Sequence, residues 1–153
     1  MSIDQRLSEL GLQLPTPAAP VASYLPAVLT GNLLHVSGQI SFAADGSLIT
    51  GRLGEDLDLA QGQAAARQCG LMLLAQIKAA LGSLDRVSRV VKLGVFVNSA
   101  AHFTDQPKVA NGASDLMAQV FGEAGRHARA AVGVSALPLG VAVEVDAIVE
   151  VRD

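Results

Sequence analysis

The chain contains no tryptophan, a single cysteine, one tyrosine and four phenylalanines among its 153 residues. With only Cys69, no disulfide can form within the chain, so the fold must stand on packing. Cys69 sits beside Gly70 in an apolar helical stretch, which reads as a buried, inert thiol. So few aromatic rings cannot build base-stacking platforms. Positive charge is scarce too: 11 Lys and Arg against 14 Asp and Glu leave a net charge of -3 and no basic surplus to neutralise a phosphate backbone. Nucleic acid is not an expected partner.

Other absences narrow the chemistry. No apolar run reaches the roughly 18 residues that a membrane-spanning helix needs. The polar opening Ser2-Ile3-Asp4-Gln5-Arg6 leads into no signal-peptide core. The expectation is a soluble, cytoplasmic protein without membrane contacts. His35, His102 and His127 show no metal-ligand spacing, so no metal site is expected. Isolated histidines of this kind read as structural or surface residues. There is no G-x-S-x-G elbow, no G-x-G-x-x-G and no Walker loop.

What is present is apolar: 50% of residues are hydrophobic and only 16% are charged. Such a chain buries enough surface to fold as one domain. So little charge on so apolar a chain also suggests that part of the surface is covered by other subunits.

The periodicity predicts an order of elements. Residues 2 to 11 read as a short amphipathic helix, capped by Ser2 or Asp4 and ended by Gly11. Residues 15 to 21 are extended, because each proline biases its predecessor away from helix. Strands follow at Tyr24 to Thr30 and Leu33 to Val36, joined by the Gly31-Asn32 turn, before Ser37-Gly38-Gln39 interrupts the pattern. Asp45-Gly46 marks another tight turn. A long helix runs from about Asp58 to Leu81, with Asp58 as N-cap, a stripe of Ala60, Ala64, Leu71, Leu74, Ile77 and Leu81, and Gly82 as the stop. A strand from Arg89 to Asn98, a helix from Asp105 to Gly122, and strands at Ala128 to Val134 and Val141 to Val151 complete the chain. The order predicts an α+β sheet with helices on one face. In the last strand Val141, Val143, Val145, Ala147, Val149 and Val151 share one face. Glu144, Asp146 and Glu150 are set on the other.

One pair of residues stands out. Arg129 interrupts an apolar strand and Glu144 sits mid-strand in the next. A hairpin centred between Ala136 and Leu137 sets the two directly opposite each other, with Cβ atoms roughly 5 Å apart. On spacing alone a structural salt bridge is the favoured reading. The functional reading is an Arg whose planar fork grips a carboxylate, beside a Glu that handles a proton or a water.

These same residues carry a resemblance. The stretch from His127 through Arg129, Leu137-Pro138 and Val143-Glu144-Val145-Asp146-Ala147 resembles the signature of the YjgF/RidA family. There an Arg-Ser-Cys-Val segment leads, after a Leu-Pro turn, to a strand ending in Val-Glu-Ile-Glu-Ala. Tyr24, Gly31-Asn32 and Ser37-Gly38-Gln39 match a second patch, and Gly54-Glu55-Asp56 before Ala60-Gln61 a third. The likeness is nearest to a longer branch, with an N-terminal helix and extended linker over residues 1–19 and the YjgF/RidA-like domain over 20–153.

The resemblance implies a chorismate-mutase-like α+β fold: a mixed sheet with two long helices on one face, assembled as a homotrimer around a central barrel with a ligand cleft at each interface. It implies hydrolytic deamination of reactive enamines and imines, of the 2-aminoacrylate type, to 2-oxo acids and ammonia. Arg129 would clamp the substrate carboxylate and Glu144 would position or activate the attacking water. Tyr24, Gly38 and Asn111 would line the cleft. Ala131 stands where the family has a Cys whose backbone carries ligand contacts, and Gly133 replaces a frequent acidic residue. No cofactor is implied, because an imine is already electrophilic. The alternative is a non-catalytic protein that binds small carboxylates in the same cleft. Chorismate-mutase chemistry would rest on fold analogy alone. The endoribonuclease label of some members gains little from this charge balance.

Overall fold

Ser2 and Gln5 start the first helix by capping each other. The Ser2 hydroxyl accepts the Gln5 N–H at 3.1 Å, and the Gln5 side chain accepts the Ser2 N–H at 2.9 Å. This reciprocal arrangement satisfies two donors that a helix start otherwise leaves open. In a computed structural model, which describes residues 1–20 and 22–153, the helix is α1, Ile3–Glu9. Of the two expected caps Ser2 is the one used, while Asp4 pairs with Lys78 at 3.1 Å. Leu7 fastens α1 to the core. Residues 15–20 form neither helix nor strand, as the prolines predict, and Val21 of the expected extended segment lies outside the described residues.

Strand β1, Ala27–Thr30, turns through Gly31-Asn32 into β2, Leu33–Ile40. β1 starts three residues later than the periodicity predicts. β2 runs further, because Ser37-Gly38-Gln39 does not end the strand. It forms a bulge that shifts the register between Val36 and Gln39, the usual way of re-aiming a strand next to a site. The Asp45-Gly46 turn is present, with Asp45 accepting the Ser47 N–H at 2.9 Å.

Helix α2, Leu59–Leu81, begins at Asp58, whose carboxylate accepts the Gln61 N–H at 2.8 Å, and ends at Gly82 with φ 84. Its inward stripe differs from the expected one. Leu71, Leu74, Ile77 and Leu81 are buried, but Ala60 and Ala64 are exposed, and Gly62, Ala65, Ala66 and Cys69 take the inner positions. In an alanine-rich first half every face is similarly apolar, so hydropathy alone does not phase the helix. Tertiary contact does. Helix α3, Gln106–Phe121, crosses α2 where Gly112 meets the main-chain carbonyl of Gln63, a contact too close for any Cβ.

The remaining strands are β3 (Val87–Asn98), β4 (Ala128–Val134) and β5 (Val143–Val151). The sheet order is β1-β2-β5-β3-β4, antiparallel except for the parallel β3–β4 pair. It is therefore a mixed sheet, with α2 packed on β5 and β2, and α3 on β3 and β4. This is the α+β architecture that the periodicity predicts and the mixed sheet with two long helices that the resemblance implies. Leu73, Leu74, Ile77, Leu93, Leu116 and Val97 fill the layer between helices and sheet. On β5, Val143, Val145, Ala147, Val149 and Val151 are buried against the helices, while Glu144, Asp146, Ile148 and Glu150 are half-buried on the other face. Among the described residues no helix covers that other face, and no helix is long and apolar enough to cross a membrane.

One expectation fails. The last two strands do not form a hairpin. β4 lies on the far side of β3, parallel to it, and β5 runs between β2 and β3. Parallel neighbours need a long crossover, and α3 supplies it between β3 and β4. The segment from Ser135 to Ala142, with its turn at Pro138–Gly140, then carries the chain past the end of β3. Consecutive strands pair often but not always.

Candidate functional site

Arg129 lies on edge strand β4 in register with Leu93, on the helix side of the sheet. Its guanidinium turns onto α3. Nη1 donates to Asn111 Oδ1 at 2.9 Å and to Ser114 Oγ at 3.1 Å, and Nη2 donates to the Pro107 carbonyl at 3.3 Å. All three acceptors are neutral, and Arg129 forms no ion pair among the described residues. Three of its five N–H donors are engaged, leaving Nε–H and one Nη2 hydrogen free. A held, uncompensated guanidinium with spare donors is suited to an anion, and a carboxylate matches its geometry.

Two residues of this cluster are not among the expected site residues: Ser114, and His127, which reads from the sequence as a structural or surface histidine. His127 Nδ1 lies 2.6 Å from the Gly125 carbonyl and Nε2 lies 2.9 Å from Ser114 Oγ. Ser114 follows Asn111 by one helical turn, and His127 precedes Arg129 by two residues, just ahead of β4, at the spacing that shares a face in extended chain. That spacing was the available signal. Ala131, two positions after Arg129 and opposite Val95, belongs to the same side of the strand.

Glu144 is on the other face. It is in register with Ile40 of β2 and Phe96 of β3, and its carboxylate lies over Gly38 in the β2 bulge. A Cβ at position 38 would stand 2.6 Å from Glu144 Oε2, so only glycine leaves the carboxylate its place. Asp146, two residues on, accepts the Gly94 N–H at 3.0 Å. Burial, and then the neighbouring Asp146 charge, raise the Glu144 pKa above its ordinary value. The segment before β1 is tied to this bulge: Ser37 Oγ donates to the Leu25 carbonyl at 2.7 Å and Ser37 N–H to that of Pro26 at 2.9 Å. Tyr24, at the head of that segment, is 48% exposed.

The structure thus sorts the predicted residues into two groups. Arg129, Asn111 and Ala131 belong to the helix side of the sheet edge; Glu144 and Gly38 belong to the open face, with Tyr24 on the segment anchored beside the bulge. The cross-strand pairing of Arg129 with Glu144 is overturned, and with it the salt bridge between them. β3 lies between their strands, separating them by about 10 Å, and the two side chains leave opposite faces. Cys69 is fully buried, and burial followed by the Glu144 charge pushes its thiol well above the ordinary range. That environment fits the inert thiol that the sequence predicts. Among the described residues no group of three or more His, Cys, Asp or Glu could hold a metal ion.

The sequence pattern of the YjgF/chorismate mutase-like endoribonuclease family matches residues 4–151. The chain belongs to this family. Within the YjgF family it is similar to Protein TCP17 of Trypanosoma cruzi, with 57% identity over 148 residues that cover 96% of this chain and 92% of that one. It is also similar to the 2-iminobutanoate/2-iminopropanoate deaminase of Dermatophagoides farinae, 29% identical over 139 residues, 90% of this chain and 93% of that protein. Among solved structures, protein Atu1372 of Agrobacterium tumefaciens, of unknown function, superimposes with a TM-score of 0.90 at 50% identity, over 98% of this chain and 92% of that one. The YjgF family match spans both groups of site residues and most of α1.

Proposed function

We propose that the protein hydrolyses small 2-imino acids, and the enamines in equilibrium with them, to 2-oxo acids and ammonia. The observation that carries this reading is the Arg129 guanidinium, fixed by Asn111, Ser114 and Pro107 yet left without a counter-ion. Arg129 grips the substrate carboxylate. A water adds its oxygen to the imine carbon while Glu144 takes the water proton. That proton passes to the imine nitrogen to complete the carbinolamine. Glu144 then takes the carbinolamine hydroxyl proton and delivers it to the same nitrogen as the C–N bond breaks, leaving a 2-oxo acid and ammonia. A carboxyl whose pKa is raised sits closer to the working pH, which favours both halves of this transfer. The relative named as a 2-iminobutanoate/2-iminopropanoate deaminase supports the choice of substrate class.

Both residues can act on one substrate only if they come from two copies of the chain, because they leave opposite faces of the sheet. The edge of β4 in one copy must meet the open face of another. Such a contact joins two different patches, and contacts of that kind close into rings rather than two-fold dimers. Three copies form the smallest ring, so the proposed assembly is a homotrimer. Half-exposed Val28 and Val132, on the face that bears Glu144, are apolar surface for it to cover.

The test is hydrolysis of 2-iminobutanoate generated in place by a dehydratase, with wild type and Arg129→Ala side by side. Loss of the charge-assisted grip should cost about 3 kcal/mol of transition-state stabilisation, roughly 150-fold in kcat/KM. Equal rates sink the reading. A second reading, a carboxylate-binding protein without turnover, draws on the fact that the Arg129 cluster is complete within one chain while Glu144 lies outside it. Binding of 2-oxobutanoate that Arg129→Ala abolishes, with no imine hydrolysed by wild type, would establish that one.

A further inference from the structure

We propose that Ser114 and His127 are a positioning pair that sets the Arg129 guanidinium for carboxylate binding, an inference that rests on Arg129 as the carboxylate clamp. The directions of the hydrogen bonds carry it. A carbonyl oxygen cannot donate, so the 2.6 Å contact between His127 Nδ1 and the Gly125 carbonyl puts the ring proton on Nδ1. In the ring that carries only this proton Nε2 is an acceptor, and the Ser114 hydroxyl, 2.9 Å away, donates to it. With its hydrogen committed to the imidazole, Ser114 Oγ presents lone pairs to Arg129 Nη1 at 3.1 Å. One chain of bonds therefore runs from the guanidinium through the hydroxyl to the imidazole and ends on a main-chain carbonyl.

Two features make this more than a satisfied polar cluster. No member of the chain is anionic, so it orients the guanidinium without cancelling its charge; a carboxylate in the place of Ser114 would hold it equally well and occupy the donors a substrate needs. The pair is also anchored at two separate places in the chain, Ser114 on α3 and His127 in the residue just before β4. An arginine has many rotamers to lose on binding a ligand, and fixing it beforehand lowers that cost. Asn111 alone, itself exposed, provides a single acceptor to the same Nη1.

The experiment uses the full chain with Ser114→Ala, Ser114→Thr and His127→Ala, each also made with Arg129→Ala. 2-Oxobutanoate affinity is measured by titration calorimetry, kcat and KM by imine hydrolysis, and the Arg129 Nε–H and His127 ring nitrogens by 15N NMR. Ser114→Ala is expected to weaken 2-oxobutanoate binding and raise KM about tenfold with kcat within twofold. His127→Ala should do so about threefold, and Ser114→Thr, which keeps the hydroxyl, should stay within twofold of wild type. The Arg129 Nε–H signal should broaden in both alanine variants, and neither change should matter further once Arg129 is Ala. An unchanged affinity and an unchanged Arg129 signal in Ser114→Ala overturn the inference while leaving the deaminase reading intact. An effect of Ser114→Ala that persists at full size beside Arg129→Ala also overturns it, since the pair then acts on something else. Should wild type bind 2-oxobutanoate but hydrolyse no imine, the deaminase reading falls and the affinity series still decides the pair.

Discussion

Gly38→Ala displaces Glu144 without altering its chemistry. Gly38 has no positive φ, so the backbone accepts alanine with little cost. The added Cβ, however, would stand 2.6 Å from Glu144 Oε2, 2.9 Å from Cδ and 3.1 Å from Cγ, all inside the roughly 3.5 Å at which such atoms come to rest. The bulge itself is held by the Ser37 hydroxyl on the Leu25 carbonyl at 2.7 Å and by Gln39 Nε2 on the Ser37 carbonyl at 2.9 Å. The side chain must therefore move, by about 1 Å at the carboxylate. A displacement of that size in a catalytic group costs about 100-fold, or 2.7 kcal/mol of barrier. Folding should lose only about 1 kcal/mol, because a half-exposed side chain can swing toward solvent. The Arg129 that grips the carboxylate of this substrate comes from another copy and keeps its own hydrogen bonds, so KM should stay within about twofold. Steady-state hydrolysis of 2-iminobutanoate, with kcat and KM resolved and thermal unfolding run in parallel, measures all three quantities. A kcat within threefold of wild type, while Glu144→Gln is crippled, would refute the claim that Gly38 sets the carboxylate.

Three further outcomes are expected. Because burial and Asp146 raise the Glu144 pKa, the native state holds this proton more tightly than the unfolded chain, so stability falls as pH rises from the ordinary carboxylate pKa through the raised one. Glu144→Gln should therefore raise Tm at pH 7, with the gain vanishing below the ordinary carboxylate range; a gain independent of pH would contradict the assignment. Val132→Asp places a charge on apolar surface that is 46% exposed in the single chain. It should shift the assembly toward monomer in sedimentation equilibrium and lower activity in proportion, while the circular dichroism stays native. Gly112→Ala drives a Cβ into the Gln63 carbonyl where α2 and α3 cross, and a chemical denaturation midpoint should report a loss of about 2 kcal/mol or more.

The sequence by itself determined the elements whose causes are local. Ser2 and Gln5, or Asp58 and Gly82, lie within a turn of the helix ends they define, so caps and stops place α1 and α2 to within a residue or two. The strict alternation from Val141 to Val151 identified a strand, observed as Val143–Val151, and its buried face, because a period of two has only one structural meaning. Only the tertiary structure decided which strands are neighbours. Alternation says which way a side chain points and nothing about what lies beside it, and the crossover through α3 put β4 beside β3 rather than β5. It likewise phased the alanine-rich half of α2, since contact with α3 rather than hydropathy chooses among near-equal faces. The same topology broke the Arg129–Glu144 pair and gave each residue a different company: Asn111, Ser114 and His127 for the first, Gly38 and Asp146 for the second. Local sequence could nominate both residues because each is a charge in an apolar strand. Their separation arises from pairings between distant segments, which no local pattern encodes.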